Sequence, residues 1–134
     1  MLKIGDSTEE KIKFTKQEVV DFVNLIGDPN PVHLDEEYAK NSYFKRLAVQ
    51  GMHAGSSFSR VIGAYFPGEG SINMYREFTF IRPVFIDEEY TMAFKIIDVN
   101  KETNVGTIRC KLINPQGKIC IDCTTKIKNT IQFI

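Results

Sequence analysis

The sequence predicts an α+β fold in which a strongly curved antiparallel sheet wraps one buried helix. Three observations predict it. Hydrophobic spacing changes from a period near 3.6 before residue 66 to a period of two after residue 71. Residues 51–65 read as a helix with Arg60 as their only permanent charge, and a helix so poor in charge is covered on most sides. The strand-like segments that follow have no helical segment between them, so they pair antiparallel.

A chain of 134 residues with 43% hydrophobic composition fits one domain, residues 1–134, built on one core. Lys and Arg together number 17, as do Asp and Glu, so no basic field points to nucleic acid or to an anionic membrane surface. A small molecule or another protein is the expected partner, and near-zero net charge favours self-association. There is no apolar run of bilayer length, and residues 1–6 lack the hydrophobic stretch of a signal peptide, so the chain reads as cytoplasmic. Its three cysteines suit reduced thiols. Cys120 and Cys123 are three apart on an expected strand and should point to opposite faces, with no second pair or nearby histidine, so no metal site is expected.

Residues 11–15 alternate as an edge strand would. Thr15 and Glu18 then form a capping box, and Val19, Phe22, Val23 and Ile26 share one helical face up to Gly27, a natural left-handed stop. Pro29 and Pro31 impose a stiff, extended path and end any helix. The acids of residues 35–37 suit the start of a short helix, and residues 41–50 read as a connecting loop. In the helix 51–65 each glycine costs about 1 kcal/mol relative to alanine, a loss that close approach of a neighbouring backbone or sheet offsets. Pro67 and Gly68 close it. Ile72, Met74, Phe78 and Phe80 form one face of segment 71–82, Tyr90, Met92, Phe94 and Ile96 of 89–99, and Ile108, Cys110 and Leu112 of 105–113. A turn at residues 114–117 leads into a last strand, 118–128.

Few residues offer chemistry. Asp28 and His33 lie five apart on the proline-stiffened loop, and two readings fit them. They form an acid/base pair sharing a water, or they hold the loop through side-chain to backbone hydrogen bonds, as Asn30 also would. Gly51 opens the buried helix, where a free N–H and the helix dipole favour a polarised carbonyl; tight packing alone explains the glycine equally well. His53 is a packed histidine or a site residue. Ser56, Ser57 and Ser59 lack the G-x-S-x-G context of a nucleophile. Ion pairing is the expected fate of Arg60, Arg76 and Arg82.

The run Asp28-Pro29-Asn30-Pro31-Val32-His33-Leu34-Asp35 resembles the D-x-N-P-x-H-x-D motif of the MaoC-like dehydratases, the (R)-specific enoyl-CoA hydratases. Residues 51–59, 67–72, 78–85 and 87–88 resemble further blocks of that family, in the same order. The resemblance implies the hot-dog fold and an acyl-CoA or acyl-carrier-protein thioester as substrate, with no cofactor and no metal. It also implies a homodimer or higher homo-oligomer. Carried over by position, Asp28 and His33 are the catalytic pair, the Gly51 amide binds the thioester carbonyl, and Asn30 and Ser59 position the substrate. The implied reaction is reversible syn hydration of a trans-2-enoyl thioester. A thioesterase on the same fold and a non-catalytic acyl-CoA-binding module are the alternatives. The chain departs from the motif at Gln50, where many members carry histidine, and at His53, commonly aliphatic, which bears on the acyl tunnel.

Overall fold

The computed structural model describes all residues, 1–134. Strand β1 (Ser7–Lys13) opens the chain. It starts earlier than the apolar alternation indicates, because its first half is polar and is held by pairing with a later strand rather than by burial. Helix α1 (Lys16–Ile26) has the expected start and stop. The Thr15 side chain accepts from Glu18 N–H, the Glu18 side chain accepts from Thr15 N–H, and Gly27 ends the helix at φ 72°. Such a cap is worth about 0.5–2 kcal/mol.

After α1 the proline segment is not wholly extended. Pro31–His33 form one 3-10 turn, with Pro31 in the first position, where a missing N–H leaves no hydrogen bond unmade. Helix α2 (Glu36–Lys40) is capped by Asp35, whose side chain accepts from Tyr38 N–H. The expected single helix 51–65 is two pieces, α3 (Gly51–Ser56) and α4 (Phe58–Ala64). They meet at Ser57, whose hydroxyl donates to the Ala54 carbonyl at 2.5 Å and whose N–H also turns back to Ala54. A serine hydroxyl competing for a helix carbonyl disturbs the ladder in this way. Ser57 keeps right-handed helical angles, so the chain continues into α4.

Strands β2 (Ile72–Phe80), β3 (Glu89–Asn100), β4 (Val105–Ile113) and β5 (Ile119–Lys128) complete one antiparallel sheet in the order β1-β3-β4-β5-β2. Period-two burial is clearest in β3, where Tyr90, Met92, Phe94 and Ile96 are buried, and in β4, where Ile108, Cys110 and Leu112 are. These side chains form one core with Ala54, Phe58, Val61 and Ile62 of the helix pair. Phe58 meets Phe94 edge-on at 5.7 Å. The sheet therefore wraps the α3–α4 pair.

Strand β2 departs from its expected face. A register shift between Asn73 and Tyr75 puts Asn73, Arg76, Phe78 and Phe80 opposite the inward residues Ile127, Thr125, Cys123 and Ile121. Ile72 and Met74 are left off that face and largely exposed. A second irregularity, between Leu112 and Ile113 in their pairing with β5, lets Cys120 and Cys123 both be buried, against the expectation of opposite faces. Cys123 stands opposite Cys110; the hydrogen bond between them and burial hold the Cys110 thiol above its usual range.

Glycine in the helix pair serves close approach. A Cβ on Gly55 would lie 2.6 Å from the Phe78 ring, and one on Gly51 would lie 3.1 Å from the ring of Phe80. One side of the pair is less covered than its sequence indicates, for Met52, Ser56, Ser59 and Gly63 are exposed on the single chain. No helix is long and apolar enough to cross a membrane.

His53 points away from that exposed side. Its ring stacks on Phe22 at 4.6 Å and meets Phe14 edge-on at 5.4 Å, and its Nδ1 is buried without a partner. Burial lowers its pKa, and nearby Glu18 opposes that only in part. A histidine harder to protonate when folded leaves the unfolded chain holding more protons below about pH 6.5, so its contribution is complete above that value and is lost as pH falls toward the folded pKa. Urea unfolding of the wild type should accordingly show a larger loss of stability from pH 8 to pH 5 than His53→Leu shows. Equal losses in the two proteins would contradict this role.

Candidate active site

The site is built from the turn after α1. Asp28 N–H donates to the Val23 carbonyl at 2.9 Å, which closes the helix end and fixes where the carboxylate starts. Asp28 Oδ1 accepts from Asn30 N–H at 2.9 Å, and Asn30 Oδ1 accepts from Val32 N–H at 3.2 Å. Two successive side-chain turns thus lead into the 3-10 turn that carries His33. Asn30 spends its side-chain oxygen on that turn and is exposed.

His33 is 8% exposed. Its Nδ1 lies 2.7 Å from the Ala48 carbonyl oxygen, which can only accept, so this nitrogen carries the proton and Nε2 of the neutral ring is left as an acceptor. Nε2 faces Asp28 Oδ2 at 3.7 Å. That gap is too long for a direct hydrogen bond, and a group that bonds both atoms must sit beside the line joining them. Asp28 therefore has one oxygen committed to the loop and one turned toward the histidine.

The Ala48 carbonyl connects this pair to α3. Ala48 N–H donates to the Val32 carbonyl at 3.2 Å, and Val49 N–H donates to the Val84 carbonyl at 2.7 Å, two residues before Gly51. Gln50 caps α3 by accepting from His53 N–H at 2.9 Å. An uncharged side chain thus meets the structural demand of this position. As the first helical residue, Gly51 has an N–H with no acceptor inside the helix.

His33 and Gly51 line one cavity of about 370 Å³, together with Phe44, Phe80, Val84 and Ile121. Its wall is mainly apolar, and a Cβ at residue 51 would press on the Phe80 ring. The structure thus puts His33 and Gly51 on one cavity, with Asp28 beside His33 but outside the cavity's lining. Ser59 is outside it, on the exposed side of α4, where its hydroxyl accepts from Arg76 at 2.6 Å. His53 does not line the cavity either. Sequence reasoning had no means of finding the Ala48 carbonyl, since a main-chain acceptor carries no residue signature. The aromatic wall of Phe44 and Phe80 gave no signal beyond ordinary hydrophobicity.

Known proteins are similar to this chain in sequence and in fold. Of the proteins similar to this chain, the (R)-specific enoyl-CoA hydratase of Aeromonas caviae is 29% identical over 95% of each chain. A mitochondrial 3-hydroxyacyl-[acyl-carrier-protein] dehydratase of Solanum lycopersicum is 32% identical over 91% of this chain and 74% of its own length. In three dimensions, the solved (R)-hydratase of A. caviae superposes with a TM-score of 0.92 at 29% identity, covering 96% of this chain and 97% of that one. An R-hydratase of Pseudomonas aeruginosa gives 0.89 at 27% identity over 96% and 82%. These likenesses show the hot-dog fold, a sheet wrapped around a central helix. The MaoC-like domain model matches residues 3–114, which hold the Asp28–His33 turn, the α3 start and strands β1 to β4, and the chain belongs to the MaoC-like dehydratase family.

Proposed function

We propose that the chain is a hydro-lyase that adds water reversibly across the double bond of a trans-2-enoyl thioester to give an (R)-3-hydroxyacyl thioester. The observation that carries the reading is the 3.7 Å gap between His33 Nε2 and Asp28 Oδ2, with His33 lining the same cavity as Gly51. Both groups are acceptors when His33 is neutral and Asp28 is ionised, so they hold one water by its two hydrogens. The thioester carbonyl takes a hydrogen bond from Gly51 N–H, and this bond strengthens as enolate-like charge forms on the oxygen.

Hydration then balances simply. The water oxygen bonds to C3, its proton passes to the Asp28/His33 pair, and the electrons of the double bond move toward the thioester carbonyl. The pair returns one proton to C2, so product leaves with the pair in its starting ionisation. Donor and acceptor sit side by side, which puts both additions on one face of the alkene. Asn30 acts through the loop, as the cap that orients His33. The names of the relatives support addition or removal of water over thioester hydrolysis or binding alone, and they span CoA and carrier-protein forms of the thiol.

A second copy of the chain completes the assembly in this reading. What supports it is the open edge of β2, with Ile72, Met74 and Phe80 each more than half exposed, next to the uncharged exposed face of Met52, Ser56, Ser59 and Gly63. Sedimentation should accordingly give twice the chain mass or a multiple of it, and a monomer at micromolar concentration would oppose the idea.

The catalytic roles are tested with crotonyl-CoA, followed by loss of the enoyl thioester absorbance. Asp28→Asn and His33→Ala should each lower kcat/KM on the order of 10²–10⁴-fold, while circular dichroism reports an intact fold. Full activity in either variant would remove that residue from the mechanism.

A further inference from the structure

Resting on the thioester reading, we propose that Arg82 is the anion anchor of the cavity and binds the phosphate at the end of the substrate's pantetheine arm. Among the residues lining the cavity, Arg82 alone carries a permanent charge. The remaining wall suits an acyl chain and the amide arm behind it. A volume of about 370 Å³ holds a drug-sized group rather than a complete coenzyme A thioester, so the anionic end of such a substrate must lie at the exposed rim. Arg82 is exposed there.

The other arginines are otherwise engaged. Arg46 pairs with Glu88, Arg60 with Glu10 and Arg109 with Asp122, while Arg76 donates to Ser59 and Thr125. The Arg82 side chain makes one bond, from Nη1 to the Ile119 carbonyl at 2.6 Å, and meets no carboxylate. A guanidinium has five N–H donors in a rigid fork, so a single carbonyl contact holds it in place and leaves its charge and most of its donors for a ligand. Its main chain is fixed as well. Ile81 and Arg82 N–H both donate to the Cys120 carbonyl, at 2.8 and 3.1 Å, and the Val84 carbonyl accepts from Val49 just ahead of Gly51. The segment that carries Arg82 is thereby tied to the segment that leads into Gly51, and both residues line one cavity.

The chemistry recognised is the phosphate esterified to the end of the pantetheine arm, which is half of a diphosphate in coenzyme A and a diester in a carrier-protein arm. The test compares crotonyl thioesters of pantetheine, 4′-phosphopantetheine and coenzyme A, in wild type, Arg82→Gln and Arg82→Lys. The preference in kcat/KM for the phosphorylated arm over bare pantetheine should fall about tenfold in Arg82→Gln, chiefly through KM, and be partly kept in Arg82→Lys. A loss of preference confined to coenzyme A would assign the anchor to its nucleotide phosphates. Equal losses on all three thioesters, as expected if Arg82 merely braces Ile119, or no loss at all, would overturn the proposal. If wild type hydrates none of them, the hydratase reading fails separately, and calorimetry with free coenzyme A decides the anchor. Binding about tenfold weaker in Arg82→Gln supports it, whereas equal affinity, or no binding by wild type, overturns it.

Discussion

The bond from His33 Nδ1 to the Ala48 carbonyl, 2.7 Å long and buried, is the constraint on which the site depends. It selects the ring tautomer, turns Nε2 toward Asp28, and ties the turn after α1 to the segment that leads into α3. A buried hydrogen bond of this kind adds only about 1 kcal/mol of net stability, but leaving its acceptor unpaired costs more. Its larger effect is geometric. Without it the histidine is a side chain on a surface turn; with it, the ring has one orientation relative to Gly51.

The sheet supplies the other half of that geometry. Phe78 and Phe80 of β2 press on the glycines of α3, and the β2–β3 connection returns through Val84 to hold Val49. Helix start, the Asp28/His33 pair and the apolar wall are thus fixed by contacts from three separate parts of the chain. Interiors at this packing density do not yield smoothly to an added methyl group. Gly51 and Gly55 are accordingly positions where a larger residue would shift the Phe80 and Phe78 rings, and at Gly51 the cavity with them.

Much of this was legible in the sequence, for reasons that can be stated. The Thr15–Glu18 capping box and Gly27 marked the ends of α1 because caps act through the nearest residues alone. The alternations of β3 and β4 were clear because one side of each strand is fully buried. Failures came where a longer-range or main-chain effect decided. The shift near Met74 reversed the facing of half of β2, the irregularity near Cys120 buried both cysteines, and Ser57 split the central helix through its own hydroxyl. At the site, the motif named Asp28 and His33, and a separate block of the family resemblance named Gly51. The resemblance said nothing of Ala48, and it named Ser59 as well, whose hydroxyl is bonded to Arg76, further along the same face of β2 that meets Gly51 and Gly55.

The central claim is that one acid/base pair, acting from one side, both adds water at C3 and protonates C2. Its consequence is stereochemical. Crotonyl-CoA hydrated by the wild-type protein in deuterium oxide should give (R)-3-hydroxybutyryl-CoA with deuterium at C2 syn to the new hydroxyl, read from the proton coupling between C2 and C3 by NMR. An anti product, or the (S) alcohol, would contradict a water held between Asp28 and His33 beside the Gly51 amide.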